Sequence, residues 1–322
     1  MAPANQRRVL ADAVPTNLKL LLDPPPTGIE RKGVLLMRLE DYPKEPRFAA
    51  TVLKSEQITD QGADAEVREL VLEVDRDEFN FEVGQSIGVL VDGPKEFGGS
   101  LRQRLYTVAD TPGDTGEAKP QITLVVRRCD YIDDYSGEQY PGVNSNFICD
   151  RRPGDKLYIT GPFGLPFTVP EDKKANLLLI GLGTGIAPFR AFLKHIYQDI
   201  GDWKGKVRLL YGAKSGLELL YMNDKRDDFA RYYDEDTFEA IKALSPRPNW
   251  ADPIAWDYAI EDRSGEILNM LDDEHTYVYV AGLVPIRDTL DKLFANMVGS
   301  PESWAKRKAE LKEAGRWVEL LY

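Results

Sequence analysis

The stretch Ile180-Gly-Leu-Gly-Thr-Gly-Ile-Ala-Pro-Phe-Arg190 leaves this chain few folds to choose from. It follows Ala175-Asn-Leu-Leu-Leu-Ile180, which reads as a buried strand. It precedes Pro188-Phe-Arg-Ala-Phe-Leu-Lys-His-Ile-Tyr197, whose apolar residues recur at helical spacing. Glycines at 181, 183 and 185 let backbone come close to a ligand, and a helix beginning near Pro188 aims its free N–H groups and positive dipole end at an anion. A strand, a glycine turn and a helix in that order make a cradle for a pyrophosphate. The dinucleotide fingerprint G-x-G-x-x-G is not met, because Ile186 stands where its third glycine belongs.

What surrounds this turn divides the chain in two. From Arg47 to about Val169 the texture is β: Phe48 to Leu53, Glu66 to Val74, Ile87 to Val91, Gln121 to Val126 and Lys156 to Ile159 are short alternating or β-branched runs between Gly, Pro and Asp turns. Strands at that spacing predict a small antiparallel barrel. After residue 170 strands alternate with helices. Val207 to Tyr211 is a second strand before a polar helical stretch around Asp224 to Tyr232, and Tyr277 to Ala281 is a third before a helix from Ile286 to Met297. That pattern predicts an α/β domain with a parallel sheet whose ligands sit at the carboxyl ends of its strands. The expected division is an arm of uncertain structure at 1–45, which holds Pro24-Pro25-Pro26, a barrel domain at 46–169 and an α/β domain at 170–322.

Composition excludes several classes of function. A net charge of −12 opposes nucleic-acid binding, which needs a surplus of Lys and Arg on at least one face. Basic residues at 31–32, 44, 47, 102, 151–152 and 306–308 are candidates for an acidic protein partner or simply solvated charges. No run is long enough to span a bilayer, and the apolar run at Val9 to Ala11 is too short for a secretory signal, so a cytoplasmic location is the simplest reading. Two cysteines, Cys129 and Cys149, and two histidines make a metal site unexpected, and the thiols read as packed rather than redox-active. Redox chemistry would have to come from an organic cofactor.

The barrel half supplies matching motifs. Arg104-Leu-Tyr-Thr107 places a cation, an aromatic ring and a hydroxyl on one short strand, and Gly142-Val-Asn-Ser145 opens a helix with Ser145 as the expected N-cap. In the order R-x-Y-[ST], G-x-x-S, G-x-G-T-G-x-x-P, these motifs resemble the ferredoxin–NADP⁺ reductase superfamily. The plant-type branch is resembled more closely still, over residues 43 to 322: Gly84-Gln-Ser-Ile-Gly88, Ser145-Asn-Phe-Ile-Cys-Asp150, Gly161-Pro-Phe-Gly164 and an aromatic Tyr322 after Trp317-Val-Glu all fit.

The resemblance implies a flavoenzyme that passes hydride between NADP(H) and FAD and single electrons between FAD and a ferredoxin or flavodoxin, an acidic one-electron carrier. It implies Tyr106 and Tyr322 on opposite faces of the flavin ring, Tyr322 moving aside for nicotinamide, and Thr107 near the reactive nitrogen where many relatives carry serine. Arg104, Leu105, Val125, Arg127 and Gly142, Val143, Asn144 and Ser145 would hold the remainder of FAD, with Tyr131 against the adenine. Gly183, Thr184, Gly185, Ala213, Lys214, Gly282 and Leu283 would line the NADP site.

For the 2′-phosphate, the second strand ends in Tyr211-Gly-Ala-Lys214 without the carboxylate that NAD-specific folds place there. Ser245, Arg247 and Tyr258 resemble the family's phosphate-binding set, although Pro246 separates the first two and the usual lysine before the tyrosine is absent. Two further departures stand out: Ala281 where relatives carry cysteine, and Glu319 where they place glutamate one residue later, at Leu320 here. Glu319 is the candidate for proton handling beside the nicotinamide. A monomer is expected. The alternative enzyme is an NADH-dependent reductase component of a multicomponent oxygenase; the alternative outside enzymes is a nucleotide-binding subunit without catalysis.

Overall fold

The computed structural model describes residues 39–93, 99–113, 119–164, 167–250 and 252–322. The expected arm at 1–45 therefore lies largely outside the described residues. Its last few residues are placed: Tyr42 is buried edge-on against Phe163, and Lys44 donates to the Leu101 carbonyl at 2.9 Å.

The first half is built from β1 (Phe48–Gln57), β2 (Val67–Val74), β3 (Ser86–Asp92), β4 (Leu101–Thr107) and β5 (Gln121–Arg127). A short hairpin of β6 (Asp130–Ile132) and β7 (Gln139–Pro141), helix α1 (Val143–Cys149) and β8 (Lys156–Phe163) complete it. Six strands form one antiparallel sheet in the order β4-β3-β8-β1-β2-β5. Its two edges meet where Val108 bridges Leu124 and the Ala109 amide donates to the Thr123 carbonyl at 2.8 Å. Closing the sheet on itself leaves the alternate residues Val52, Leu70, Leu72, Val89, Leu124 and Ile159 facing one dry core.

The second half runs β9 (Asn176–Leu182), α2 (Ile186–Lys194), β10 (Val207–Ala213), a two-residue-strand hairpin β11 (Met222–Asn223) and β12 (Arg226–Asp227), β13 (Phe238–Leu244), α3 (Trp256–Ile260) and α4 (Ser264–Asp272). It ends β14 (Thr276–Gly282), α5 (Ile286–Val298), α6 (Pro301–Glu313) and β15 (Trp317–Leu321). The sheet is parallel throughout, in the order β13-β10-β9-β14-β15. Central β9 is buried along Leu177–Gly181, as a strand covered on both faces must be. Gly299, at φ 93°, ends α5 in the left-handed conformation, and Ser300 caps α6 by accepting from the Ser303 amide at 3.1 Å ahead of Pro301.

Two local expectations are corrected. The polar stretch from Asp224 to Tyr232 is not a helix: the Asn223 side chain accepts from the amides of Lys225 and Arg226, which folds the chain into the β11–β12 hairpin before one tight turn over Phe229–Tyr232. The helix expected near Pro188 starts at Ile186. Pro188 sits in its first turn, where the missing N–H would have had no partner anyway. The two halves share a core in which Ile58, Val67, Val125 and Phe163 of the barrel pack with Phe189, Leu219 and Tyr221 of the α/β half. Among the described residues no helix is long and apolar enough to cross a membrane.

Candidate active site

The parallel sheet grows outward in both directions from β9, toward β10 and toward β14, and the crevice at the carboxyl ends of β9 and β14 is where such a sheet receives a ligand. Both ends carry glycine for a reason of space. A side chain on Gly185 would meet the Ala281 carbonyl at 2.2 Å, and one on Gly282 (φ 143°) would meet Leu182 at 2.8 Å, so the turns after β9 and β14 lie against each other. Gly183 (φ 57°) faces open space, and its carbonyl accepts from the Tyr211 hydroxyl at 3.0 Å. Helix α2 starts directly behind this turn. Ala213, buried, and Lys214, ion-paired with Asp64 of the barrel half, end the neighbouring β10.

The barrel presents its motifs to the same side. Tyr106 and Thr107 stand opposite Ile87 and Ser86 of β3, and the Thr107 and Ser86 hydroxyls are 3.2 Å apart. Tyr106 is half-buried against the barrel core, and burial pushes its phenol above the ordinary value. Leu105 leans on the shared core, Val125 is buried in it, and Arg104 donates to the Gln103 carbonyl at 2.9 Å. Arg127 is exposed at the end of β5. Gly142, not Ser145, occupies the N-cap of α1: a side chain there would meet the Cys129 carbonyl at 2.7 Å, and Ser145 lies inside the helix. The Ser145 hydroxyl instead lies 3.2 Å from the Cys129 amide and 3.3 Å from the Gly142 carbonyl, tying α1 to the end of β5. Asn144 is buried and donates to Val89, and Val143 packs on the barrel core. Tyr131, on the exposed β6–β7 hairpin, stacks on Tyr140 at 5.8 Å.

Tyr322 closes the arrangement from the other half. Its hydroxyl is hydrogen-bonded to Thr184 in the glycine turn, its amide donates to the Gly282 carbonyl, and its carbonyl accepts from Val284, both at 3.1 Å. Leu283 between them is exposed. Tyr322 is 45% open to solvent, and the protein packed around it pushes its pKa up to about 12, against the pull of the Thr184 hydrogen bond and the charge of Arg127. The glycine turn that holds the Tyr322 hydroxyl packs on β5, and β5 also meets the strand that carries Tyr106, so the supports of the two tyrosines share β5. Burial raises both thiols, Cys149 to about 12, and holds them protonated at neutral pH.

Ser245, Arg247 and Tyr258 gather around the carboxyl end of β13. Ser245 is buried and donates to the Asp252 carbonyl at 2.8 Å; Arg247 Nε donates to Asp252 Oδ2 at 2.7 Å; Tyr258 is 79% exposed. Asp252 and Trp250, which lies 5.8 Å from the Arg247 guanidinium, were not among the residues singled out by sequence.

Glu319 is not brought to this crevice. It stands on β15 opposite Val280, accepts from Trp317 Nε1 at 2.7 Å and Arg287 at 3.2 Å, and pairs with Lys308 at 3.1 Å and Lys312 at 3.3 Å. Burial alone would raise its carboxyl; Lys308, the Trp317 bond and Lys312 outweigh burial and hold it at about 2. Its neighbours lie on α5 and α6, and it serves as their anchor.

The seam is fixed by a second charged cluster. Arg190, one helix face behind the glycine turn, donates to the Ala109 carbonyl at 2.6 Å and pairs with Asp110 at 3.0 Å, two and three residues past Thr107, and with Asp228 at 2.8 Å. Tyr221 lies between the Arg190 and Arg226 guanidinium groups, at 4.8 and 4.9 Å, and its hydroxyl donates to buried Glu69 at 2.8 Å.

Comparison with known proteins agrees with this architecture. Residues 179–292 match the oxidoreductase NAD-binding domain family. The chain is 30% identical to the ferredoxin–NADP reductase of Picosynechococcus over 87% of its length and 71% of the relative's. It is 32% identical to the leaf isozyme 1 enzyme of Oryza sativa chloroplasts over 87% and 78%, and 30% identical to that of Spinacia oleracea over 93% and 82%. The ferredoxin–NADP⁺ reductase structure of Plasmodium falciparum, 19% identical, superposes with a TM-score of 0.63 over 88% of this chain and 98% of that one, which shows the shared fold. With the barrel, the parallel sheet and the glycine crevice in place, the chain belongs to the ferredoxin–NADP⁺ reductase family of oxidoreductases, which work with FAD and NADP(H).

Proposed function

We propose that this protein exchanges electrons between NADP(H) and a ferredoxin or flavodoxin through FAD held at the seam between residues 46–169 and 170–322. The observation that carries the reading is that the supports of Tyr106 and Tyr322, one from each half, share β5 beside a glycine crevice in which side chains at 185 and 282 would collide with backbone or Leu182. When bound, the flavin supplies two-electron exchange with the nicotinamide and one-electron exchange with the carrier protein.

The chain's own residues do the positioning. Tyr106 offers a ring fixed by the barrel core; Thr107, whose hydroxyl is within reach of Ser86, offers a donor beside it. Arg104, Arg127 and the backbone of Gly142 to Ser145, with Leu105 and Val125 behind them, suit the flavin diphosphate. Tyr131 suits the adenine. Gly183, Thr184 and Gly185 at the start of α2, with Ala213, Lys214, Gly282 and Leu283, suit the NADP pyrophosphate, and Ser245, Arg247 and Tyr258 its phosphorylated ribose. Tyr322 is anchored by backbone at residues 282 and 284, while its side chain is 45% exposed and bonds Thr184 through its hydroxyl, an arrangement that suits a gate over the flavin. Glu319 is given no part in proton handling. The protein acts as a monomer in the cytoplasm.

Purified protein should carry the yellow flavin absorption, and NADPH should bleach it; a colourless protein that takes up no added FAD would remove this reading. Tyr322→Ser should let nicotinamide reside on the flavin and raise the use of NADH. Unchanged preference would remove Tyr322 as the gate. NADPH-driven reduction of ferredoxins and flavodoxins across a salt series identifies the partner, since attraction between opposite charges weakens as salt rises.

A further inference from the structure

On the loop after β13 the side chains assigned to the 2′-phosphate are already occupied by Asp252. Arg247 offers Asp252 the forked edge of its guanidinium, Nε at 2.7 Å from Oδ2 and Nη2 at 3.4 Å from Oδ1. This is the edge with which arginine binds phosphate in two-pronged fashion. Ser245 is committed to the same residue, its hydroxyl donating to the Asp252 carbonyl at 2.8 Å. Both groups assigned to the 2′-phosphate are thus satisfied within the chain. Lys214 at the end of β10 is likewise paired, with Asp64.

We propose that Asp252 is a specificity-determining residue, a built-in competitor that lowers the discrimination between NADPH and NADH. The inference rests on the reading of Ser245 and Arg247 as the 2′-phosphate site. A dianionic phosphate reaching Arg247 must displace a carboxylate from the same N–H groups and then remain beside its negative charge. The unphosphorylated nucleotide meets no such repulsion. The pair is suited to exchange rather than to locking: the Arg247 side chain is 66% exposed and that of Asp252 is 25% exposed, so the contact opens at small cost. Trp250, 78% exposed and 5.8 Å from the same guanidinium, gives the loop a fluorescent reporter.

The test measures binding of 2′-phospho-AMP and of AMP to the FAD-loaded protein by calorimetry, with Trp250 fluorescence as a second readout. Wild type is compared with Asp252→Asn, Asp252→Ser and Arg247→Ala, with flavin content confirming the fold of each. The expected result is that both Asp252 variants bind 2′-phospho-AMP about tenfold more tightly with AMP unchanged or weaker, the scale of one removed like charge near a phosphate. Arg247→Ala should bind 2′-phospho-AMP more weakly. If Arg247→Ala weakens 2′-phospho-AMP while both Asp252 variants leave it unchanged or weaken it, Asp252 is no competitor and the site assignment stands. If Arg247→Ala has no effect on 2′-phospho-AMP, the site assignment itself falls, and this inference with it.

Discussion

Two sets of arginine–carboxylate pairs occupy opposite regimes in this molecule. At the seam, Arg190 and Asp228 have 13% and 14% of their side chains exposed, and each group meets several partners. On the loop after β13, Arg247 is mostly exposed and meets Asp252 alone among the described charged groups. Buried, a lone charge is costly, so the pair behaves as a fixed joint; in water the same chemistry can open for a competing anion. The contrast teaches that the halves are held by charges that cannot easily let go, while the loop proposed to meet the nucleotide is held by charges that can.

Removing one partner at the seam should have the largest effect. Arg190→Ala leaves Asp110 to Lys194 and Asp228 to Arg226, each short of one partner in a half-dry cluster, and is expected to lower unfolding stability by about 3 kcal/mol, read by urea denaturation of the flavin-loaded protein. A loss below about 1 kcal/mol would mean that the seam pairs are as loose as the exposed one.

The next effect is the acid response. Glu319 titrates at about 2 in the fold against 4.5 unperturbed, so its contribution is present above pH 4.5 and disappears as pH falls toward 2. Glu319→Gln should therefore lower stability at neutral pH by about 2 kcal/mol and flatten the stability curve between pH 4.5 and 2. Asp110 and Asp228, both lowered because their arginine and lysine partners outweigh burial, act with the same sign. A mutant curve parallel to wild type would place the anchor elsewhere.

The smallest stability effect belongs to the loop. Arg247→Ala is expected to leave unfolding within about 0.5 kcal/mol of wild type while raising the KM for NADPH and sparing that for NADH. A large stability loss there would erase the distinction between the two regions.

How much of this was readable in advance follows from what each feature depends on. The barrel strands and β9, β10 and β14 show as β-branched or aliphatic runs, because burial on one or two faces dictates side-chain type. Strand β13, Phe-Glu-Ala-Ile-Lys-Ala-Leu, is not visible in the sequence: it is an edge strand in which Glu239 and Lys242 break the apolar run and there is little β-branching. Helix α6 was missed because its apolar side is thin, with Trp304, Lys308 and Leu311 as its buried residues. The site motifs were legible where glycine is demanded by backbone contact, as at 142, 185 and 282. What sequence order hides is the partner of a charge: nothing adjacent to Glu319 marks it as bound by Lys308 and Lys312, and nothing near Arg247 marks Asp252 as its occupant rather than a loop acid.

One contact within the sheet reaches further than its size. The Tyr211 hydroxyl donates to the Gly183 carbonyl while accepting from the Leu220 amide at 3.1 Å, and burial drives its ionisation far above the usual phenol range. The prop beneath the glycine turn therefore keeps its proton well into the alkaline range, so a rise in pH above neutral leaves this hydrogen-bonded support of the turn in place.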